Sequence, residues 1–95
     1  MSVYFIAYIK MKDESEYSKY LEKVDEVFGE YEGRYVVLDD NPEILEGEWE
    51  YDRAVMIEFE NRNKLHEWYF SEEYQQILKH RLKGAVCRTI VVQGK

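Results

Sequence analysis

The chain has 95 residues, of which 45% are hydrophobic and 35% charged, and its formal net charge is −7. This length and composition predict one folded domain over residues 1–95. The acidic balance argues against nucleic acid and anionic membranes as partners, because both are bound mainly through clustered lysine and arginine. The single cysteine, Cys87, excludes an intrachain disulfide and fits a reducing compartment, so we expect a cytoplasmic protein.

The first third of the chain predicts a strand, a helix and a second strand. Val3 to Lys10 is rich in β-branched and aromatic residues and is apolar on both faces of the predicted strand. A helix is predicted from Asp13 to Tyr31, because an acidic capping pattern precedes an apolar stripe at helical spacing. Gly33 is expected to end this helix in a left-handed conformation. Arg34 to Leu38 then forms the second strand.

The remainder predicts a loop, a strand, a broken helix and a last strand. Residues 43–51 form a loop or short edge strand, and Asp52 to Glu60 forms the third strand. A helix from Arg62 to Phe70 breaks at Ser71, which caps further helical turns. The inward residues of these turns are expected to be Tyr74, Ile77, Leu78 and Leu82, with Gly84 as the end. Cys87 to Gln93 is the last strand.

This order of elements predicts an α+β, ferredoxin-like βαββαβ fold. Such a fold has a four-stranded antiparallel sheet with its two helices on one face. The other sheet face would carry several large apolar residues, which is too large an apolar patch for a monomer in water. We therefore expect a homodimer in which the open sheet faces of two subunits pack together.

The chain also resembles a known family, through motifs that occur in a characteristic order. The motifs are Leu45-Glu46-Gly47-Glu48-Trp49, Ile57-Glu58-Phe59 and Trp68-Tyr69-x-Ser71-x-x-Tyr74-Gln75, followed by Arg81. They resemble a family of small proteins known as domain of unknown function 1330, in the dimeric α/β-barrel superfamily. The resemblance extends from Tyr8 to Val92 and implies a ferredoxin-like subunit and a dimer whose sheets form a barrel. It implies no reaction, because the family has none established and fold does not fix function.

Glu58 is the candidate catalytic residue. It shares a face of the third strand with apolar residues, and a carboxylate on a covered face needs a cation or hydrogen-bond donors, or its pKa rises. One interpretation is an acid–base or ligand-orienting carboxylate. The other is a structural ion pair, for which Arg34, Arg53 and Arg88 are possible partners. Under either interpretation we expect Glu58 to be partly buried and bonded to an arginine or a tyrosine hydroxyl.

The candidate ligand-binding residues are Glu46, Trp49, Tyr69, Tyr74 and Arg81. Trp49 could form one wall of a pocket with Glu46 beside it, and we expect it near the second helix region or a partner subunit. Tyr69, Tyr74 and Arg81 could face a cleft between the broken helix and the sheet, where Arg81 would hold a carboxylate. For Trp49 the alternative is a residue that only anchors its loop. For Arg81 the alternative is a charge at the surface.

Two functions remain open from the sequence. The first is a dimer that binds a small organic molecule in an aromatic-lined cleft between sheet and helices, with cofactor-free acid–base chemistry if it is an enzyme. The second is a non-catalytic dimerisation or interaction module. The two histidines, His66 and His80, do not have the spacing of a zinc motif, so we expect no metal and no cofactor.

Overall fold

The computed structural model describes residues 1–95 and contains four strands and three helices. The strands are β1 (Val3–Met11), β2 (Arg34–Asp39), β3 (Arg53–Phe59) and β4 (Ala85–Gln93). The helices are α1 (Glu14–Phe28), α2 (Arg62–Tyr69) and α3 (Glu72–Gly84). All strand pairs are antiparallel and the sheet order is β2-β3-β1-β4, so the predicted ferredoxin-like fold is confirmed. No helix has the length and apolar character that spanning a membrane requires.

Strand β1 lies inside the sheet, and its side chains alternate strictly between the two sheet faces. Its residues on the helical side are all buried, and they are Val3, Phe5, Ala7 and Ile9. The residues between them, Tyr4, Ile6 and Tyr8, are half-buried on the opposite face. Only one face of the sheet is covered by helices, and the subunit is a slab whose Cα atoms span 33 × 33 × 15 Å. We call the uncovered side the open face.

Helix α1 begins where the sequence predicted but ends earlier. The Asp13 side chain accepts a hydrogen bond from the Glu16 backbone N–H at 3.2 Å, which caps the first turn. The helix ends at Phe28, and Gly33 does not adopt a positive φ, so its predicted left-handed role was wrong. A Cβ at Gly33 would lie 2.6 Å from the Phe59 ring and 2.8 Å from the Phe28 ring. Gly33 is therefore needed for space between two core rings.

The predicted break at Ser71 is confirmed, so the second helical region is two helices rather than one. Asn61 caps α2 by accepting from the Lys64 N–H at 2.9 Å. Ser71 caps α3 by accepting from the Tyr74 N–H at 3.1 Å, while its hydroxyl donates to the Trp68 carbonyl at 2.8 Å. One serine thus ends one helix and starts the next.

The inward face of α3 differs from the prediction at one residue. Leu82 was expected to face inward but is 60% exposed, whereas Arg81 is only 2% exposed. The buried residues of the helix are Tyr74, Ile77, Leu78, Arg81 and Gly84. Positions 74, 77, 78 and 81 are the i, i+3, i+4, i+7 stripe of one helix face, so geometry places the arginine in the interior.

Gly84 should not tolerate a side chain. A Cβ there would lie 2.6 Å from the Tyr17 backbone nitrogen and 2.9 Å from its Cα, so Gly84→Ala must push α1 away from α3. We expect a loss of about 1–3 kcal/mol in the free energy of unfolding, measured by urea denaturation. Gly29→Ala is the control, because Gly29 has helical φ and its Cβ would approach nothing closer than 3.3 Å. Equal midpoints for the two variants would contradict the close helix approach.

Candidate functional site

A small space of about 40 Å³ lies between α1 and the sheet, and we call it the inner cavity. Of its 13 lining residues 11 are hydrophobic, and the other two are Arg53 and Arg81. Phe5, Ala7 and Ile9 of β1 form its floor. Ala7 is the smallest of these side chains, so the middle of the floor lies lower than its ends. The cavity is therefore apolar except for two cationic side chains.

Arg81 carries its charge into this apolar cavity without a counter-ion. No protein group accepts a hydrogen bond from its Nε or Nη1, and it is absent from the ion pairs of the chain. Its guanidinium carbon lies 5.7 Å from the centre of the Tyr20 ring, which gives a cation–π contact. Because guanidinium stays protonated at any ordinary pH, Arg81 is a buried positive charge. Such a charge costs several kcal/mol of desolvation unless an anion or donor–acceptor network compensates it.

Arg53 is the second cation of the inner cavity. It lies opposite Ile9 in the β1–β3 register, so it shares the inward face with Val55 and Ile57. Its Nη1 lies 3.4 Å from an oxygen of Asp40, whereas its Nε is buried and has no acceptor. One end of this guanidinium is thus paired near the surface, and the other end is free on the cavity side.

A pair of tyrosines packs beside Arg81. The hydroxyl oxygens of Tyr20 and Tyr74 are 2.8 Å apart and share a hydrogen bond. Burial raises the pKa of Tyr20 and the pKa of Tyr74, so both phenols are neutral at physiological pH. Burial also raises the pKa of Tyr17, which lines the same cavity. The tyrosines supply polar contacts and a ring face but no negative charge for Arg81.

A wider space lies beside the inner cavity, between α1 and β2, and we call it the vestibule. The vestibule has a volume of about 320 Å³ and shares five of its six lining residues with the inner cavity. The sixth residue is Asp25 of α1, which accepts a hydrogen bond from the Tyr35 hydroxyl of β2 at 3.2 Å. Burial and this carboxylate raise the pKa of Tyr35. The Tyr35–Asp25 bond thus joins the two walls of the vestibule.

The predicted ligand-binding residues of the helical region lie on two sides of the core. Arg81 lines the inner cavity, and Tyr74, which is completely buried, lies next to it. Tyr69 lines a different groove of about 150 Å³ between α2 and β4, together with Phe70. Phe5 borders both spaces. Tyr69 and Arg81 therefore do not share one cleft.

Trp49 and Glu46 lie away from both spaces. The Trp49 ring centre is 4.9 Å from that of Tyr8 and 5.1 Å from that of Tyr51, so it packs at the open face of the sheet. The expected position near the second helix region was wrong, and contact with a partner subunit stays a prediction. Glu46 is exposed in the same loop. A loop without periodicity gave no means of assigning Trp49 to one face.

Glu58 lies on the open face as part of an ion pair. Arg34 Nε donates to Glu58 Oε1 at 2.5 Å, and the Tyr4 hydroxyl donates to Oε2 at 3.2 Å. The carboxylate side chain is 18% exposed, so the expectation of a partly buried, paired Glu58 is confirmed. Hydrogen bonds from Ser2, Arg34 and Tyr4 hold the pKa of Glu58 below its usual range. Glu58 does not line the inner cavity, and its catalytic role stays a prediction.

Sequence reasoning did not assign Arg53, Tyr17, Tyr20 or Tyr35 to a site. For Arg53 a signal existed, because it has the same parity as the inward residues of β3. The tyrosines of α1 were identified as core, and core residues that border a cavity have no separate signature. No group of three or more histidine, cysteine or acidic side chains is arranged to bind a metal.

Comparison with known proteins identifies the family and supports the fold. Residues 2–95 match the profile of the domain of unknown function DUF1330, so the chain belongs to this family. No curated protein matches the chain. Among solved structures the chain is similar to RPA0582, a protein of unknown function from Rhodopseudomonas palustris. The TM-score is 0.82 and the identity 18%, over 99% of this chain and 82% of that one.

Two further structures share the fold. A dimeric ferredoxin-like protein of unknown function from Jannaschia sp. CCS1 has a TM-score of 0.77 at 11% identity, over 99% of this chain and 100% of that one. SnoaB, a cofactor-independent oxygenase from Streptomyces nogalater, has a TM-score of 0.71 at 8% identity, over 99% of this chain and 93% of that one. At these identities the likeness shows a common fold and does not carry a reaction across.

Glu58 should titrate below the ~4.3 typical of glutamate in a carboxyl-detected NMR pH titration. Arg34→Gln should raise this pKa, because it removes one of the donors that favour the ionised form. Since the folded-state pKa is lowered, the pair stabilises the fold at neutral pH, and this contribution is lost as the pH falls through the folded-state pKa. Arg62→Gln, on the exposed start of α2, is the matched control. A Glu58 pKa at or above the ordinary value would contradict the ion pair.

Proposed function

We propose that this member of the DUF1330 family is a homodimer that binds a small organic molecule between the sheet and α1 of each subunit. The dimer would form through the open faces of two sheets. The ligand would occupy the inner cavity and the vestibule. The observation that carries the binding function is the apolar inner cavity lined by two arginines with unpaired nitrogens, Arg53 and Arg81.

The dimer is supported by the side chains of the open face. Exposed apolar strand residues on this face include Val37, Val86 and Ile90, and Ile90 is 52% exposed. The half-buried Tyr4, Ile6 and Tyr8 lie among them. An antiparallel sheet with apolar residues on both faces is normally packed on both faces. Solved structures with the same fold from three organisms are described as dimeric, which supports the same assembly here.

The ligand site is supported by its shape and chemistry. Small-molecule sites are concave, mostly apolar and furnished with a few polar groups that orient the ligand. The vestibule, at about 320 Å³, reaches the size of such sites, and the inner cavity adds a narrow end. Three groups that line the inner cavity can orient a ligand there, namely Arg81, Arg53 and the Tyr20 hydroxyl, which is bonded to that of Tyr74.

A cofactor-free reaction is the finer part of this proposal. SnoaB, which has the same fold, is a cofactor-independent oxygenase. In this chain Glu58, the acid–base residue predicted from the sequence, lies on the open face and not in the inner cavity. A catalytic Glu58 would act from the dimer interface on a ligand that reaches this face. Binding between α1 and the sheet does not depend on Glu58.

The chain should have twice its 11.6 kDa mass in solution at micromolar concentration. Ile90→Asp should halve the mass in light scattering, because it places a charge on the apolar open face that the proposed interface covers. The matched control is Leu82→Asp, since Leu82 is at least as exposed as Ile90 but lies on the helical side. A wild-type mass of one chain would contradict the dimer. So would an intact dimer in Ile90→Asp.

Ligands of the proposed site should compete with side-chain volume in the inner cavity. Val24 lines the cavity, whereas Val27 lies on the same helix and does not line it. Val24→Ile should weaken binding at least several-fold, because one methylene is a large part of about 40 Å³, and Val27→Ile should leave it unchanged.

A panel of small aromatic and alicyclic acids, amides and alcohols should be screened by melting temperature and then by Trp68 fluorescence. Trp68 packs 5.2 Å from Phe5 of the cavity floor, so Trp49→Phe should be the background, because Trp49 lies at the opposite sheet face. If no compound shifts either signal at millimolar concentration, the protein is instead a dimerisation or interaction module.

A further inference from the structure

We propose that the ligand is a small organic monocarboxylate with an apolar body. Its carboxylate would bind Arg81 in the inner cavity, and its body would fill the vestibule. This inference rests on the proposed function and names the chemical class that the site selects. It follows from the unpaired charge of Arg81, the sizes of the two spaces and the position of Asp25.

The buried charge of Arg81 has no partner of opposite sign in the chain. Arg81 is 2% exposed, its Nε and Nη1 have no protein acceptor, and no carboxylate of the chain pairs with it. The polar neighbours of the guanidinium are the neutral hydroxyl pair of Tyr20 and Tyr74 and the Cys87 side chain, and none of them is a carboxylate. A ligand that brings one negative charge would receive charge-assisted hydrogen bonds, which are stronger than neutral ones. An amide or alcohol would leave the arginine uncompensated.

The inner cavity and the vestibule differ in volume. A volume of about 40 Å³ accommodates a group of a few heavy atoms, such as a carboxylate, but not a ring. The vestibule, at about 320 Å³, accommodates the ring or alkyl body, and Leu21, Val24 and Leu38 provide apolar walls for it. The two spaces have five lining residues in common, so they lie side by side. A carboxylate attached to a compact apolar body matches this narrow end and wide mouth.

The position of Asp25 bears on how many negative charges the ligand can carry. Asp25 lies at the vestibule, where its carboxylate accepts from the Tyr35 hydroxyl. A ligand with a second carboxylate at its far end would place that group near Asp25, and like charges in a partly desolvated site repel. The net charge of −7 adds to this repulsion. The site should therefore prefer monocarboxylates to dicarboxylates of the same length.

The central experiment compares phenylacetate with phenylacetamide, which differ only in the charged group. By isothermal titration calorimetry we expect phenylacetate to bind about tenfold more tightly or better, the scale of hydrogen bonds to a charged group. Arg81→Met should remove this preference. Arg62→Met, the same exchange at an exposed arginine, should keep it. Equal affinity of acid and amide for the wild type would overturn the inference.

Arg81→Lys separates charge from geometry. It keeps the positive charge but loses the planar donor fork, so phenylacetate should bind more weakly than to wild type and more tightly than to Arg81→Met. A second readout comes from the Arg81 Nε–Hε NMR signal. It should shift on titration with phenylacetate and stay in place with phenylacetamide. A signal that moves equally with both probes would contradict carboxylate binding at Arg81.

The ligand-free protein offers a test that needs no binding. Because Arg81 is buried without a counter-ion, Arg81→Met should raise the melting temperature of the empty protein while it abolishes the preference for acids. A lower melting temperature would show that Arg81 has a structural partner, and it would overturn the inference. The selection against a second charge is tested with 1,4-phenylenediacetate, which should bind less tightly than phenylacetate. Asp25→Asn should reduce that difference, and an unchanged difference would contradict the role of Asp25.

The failure of this inference differs from the failure of the proposed function. Binding of neutral aromatic compounds that is weakened by Val24→Ile but not by Arg81→Met would leave a small-molecule site and exclude the carboxylate. No binding of any compound would exclude both. If acid binding survives Arg81→Met but is lost in Arg53→Met, the anion binds Arg53 and not Arg81, which also overturns the inference.

Discussion

The helical side of this structure depends on one constraint, the buried positive charge of Arg81, for which the chain provides no carboxylate. The unfolding free energy of a domain this small is only about 5–15 kcal/mol, so an uncompensated buried arginine uses a considerable fraction of it. The surroundings of Arg81 reduce that cost. The Tyr20 ring lies against the guanidinium, and the paired hydroxyls of Tyr20 and Tyr74 add dipoles. In our proposal, the charge that is left uncompensated attracts an anion of suitable size.

Several local features of the sequence cooperate to bring that charge inside. The Ser71 cap starts α3, and helical periodicity then places position 81 on the same inner face as 74, 77 and 78. Gly84 lets α3 approach the backbone of α1 at Tyr17, which carries Tyr20 onto Arg81. Ala7 leaves the floor of the sheet low in front of it. A larger residue at position 7 or 84 would fill or displace the cavity.

The fold followed from the sequence because alternation and helical periodicity report burial directly. They predicted four strands, the break at Ser71 and the two faces of β3, and the structure has them. The site was harder because residue type and position disagreed. At the end of α3 the apolar Leu82 was preferred to Arg81 on hydrophobicity, whereas the helical phase favours Arg81. The loop that carries Trp49 has no period, so its contact with Tyr8 was not predictable.

The side chains of β1 alternate strictly, so the two faces of the sheet carry different functional groups. Neighbouring residues such as Tyr4 and Phe5 belong to different environments, since one bonds Glu58 on the open face and the other borders the inner cavity. The two faces are nevertheless carried by the same strands. Covering the open face would restrain β3, whose inward Arg53 lines the cavity, and β2, whose Tyr35 holds the vestibule wall. Association of two subunits would in this way stiffen the ligand site without contributing a residue to it, because a sheet transmits restraint from one face to the other through the same backbone.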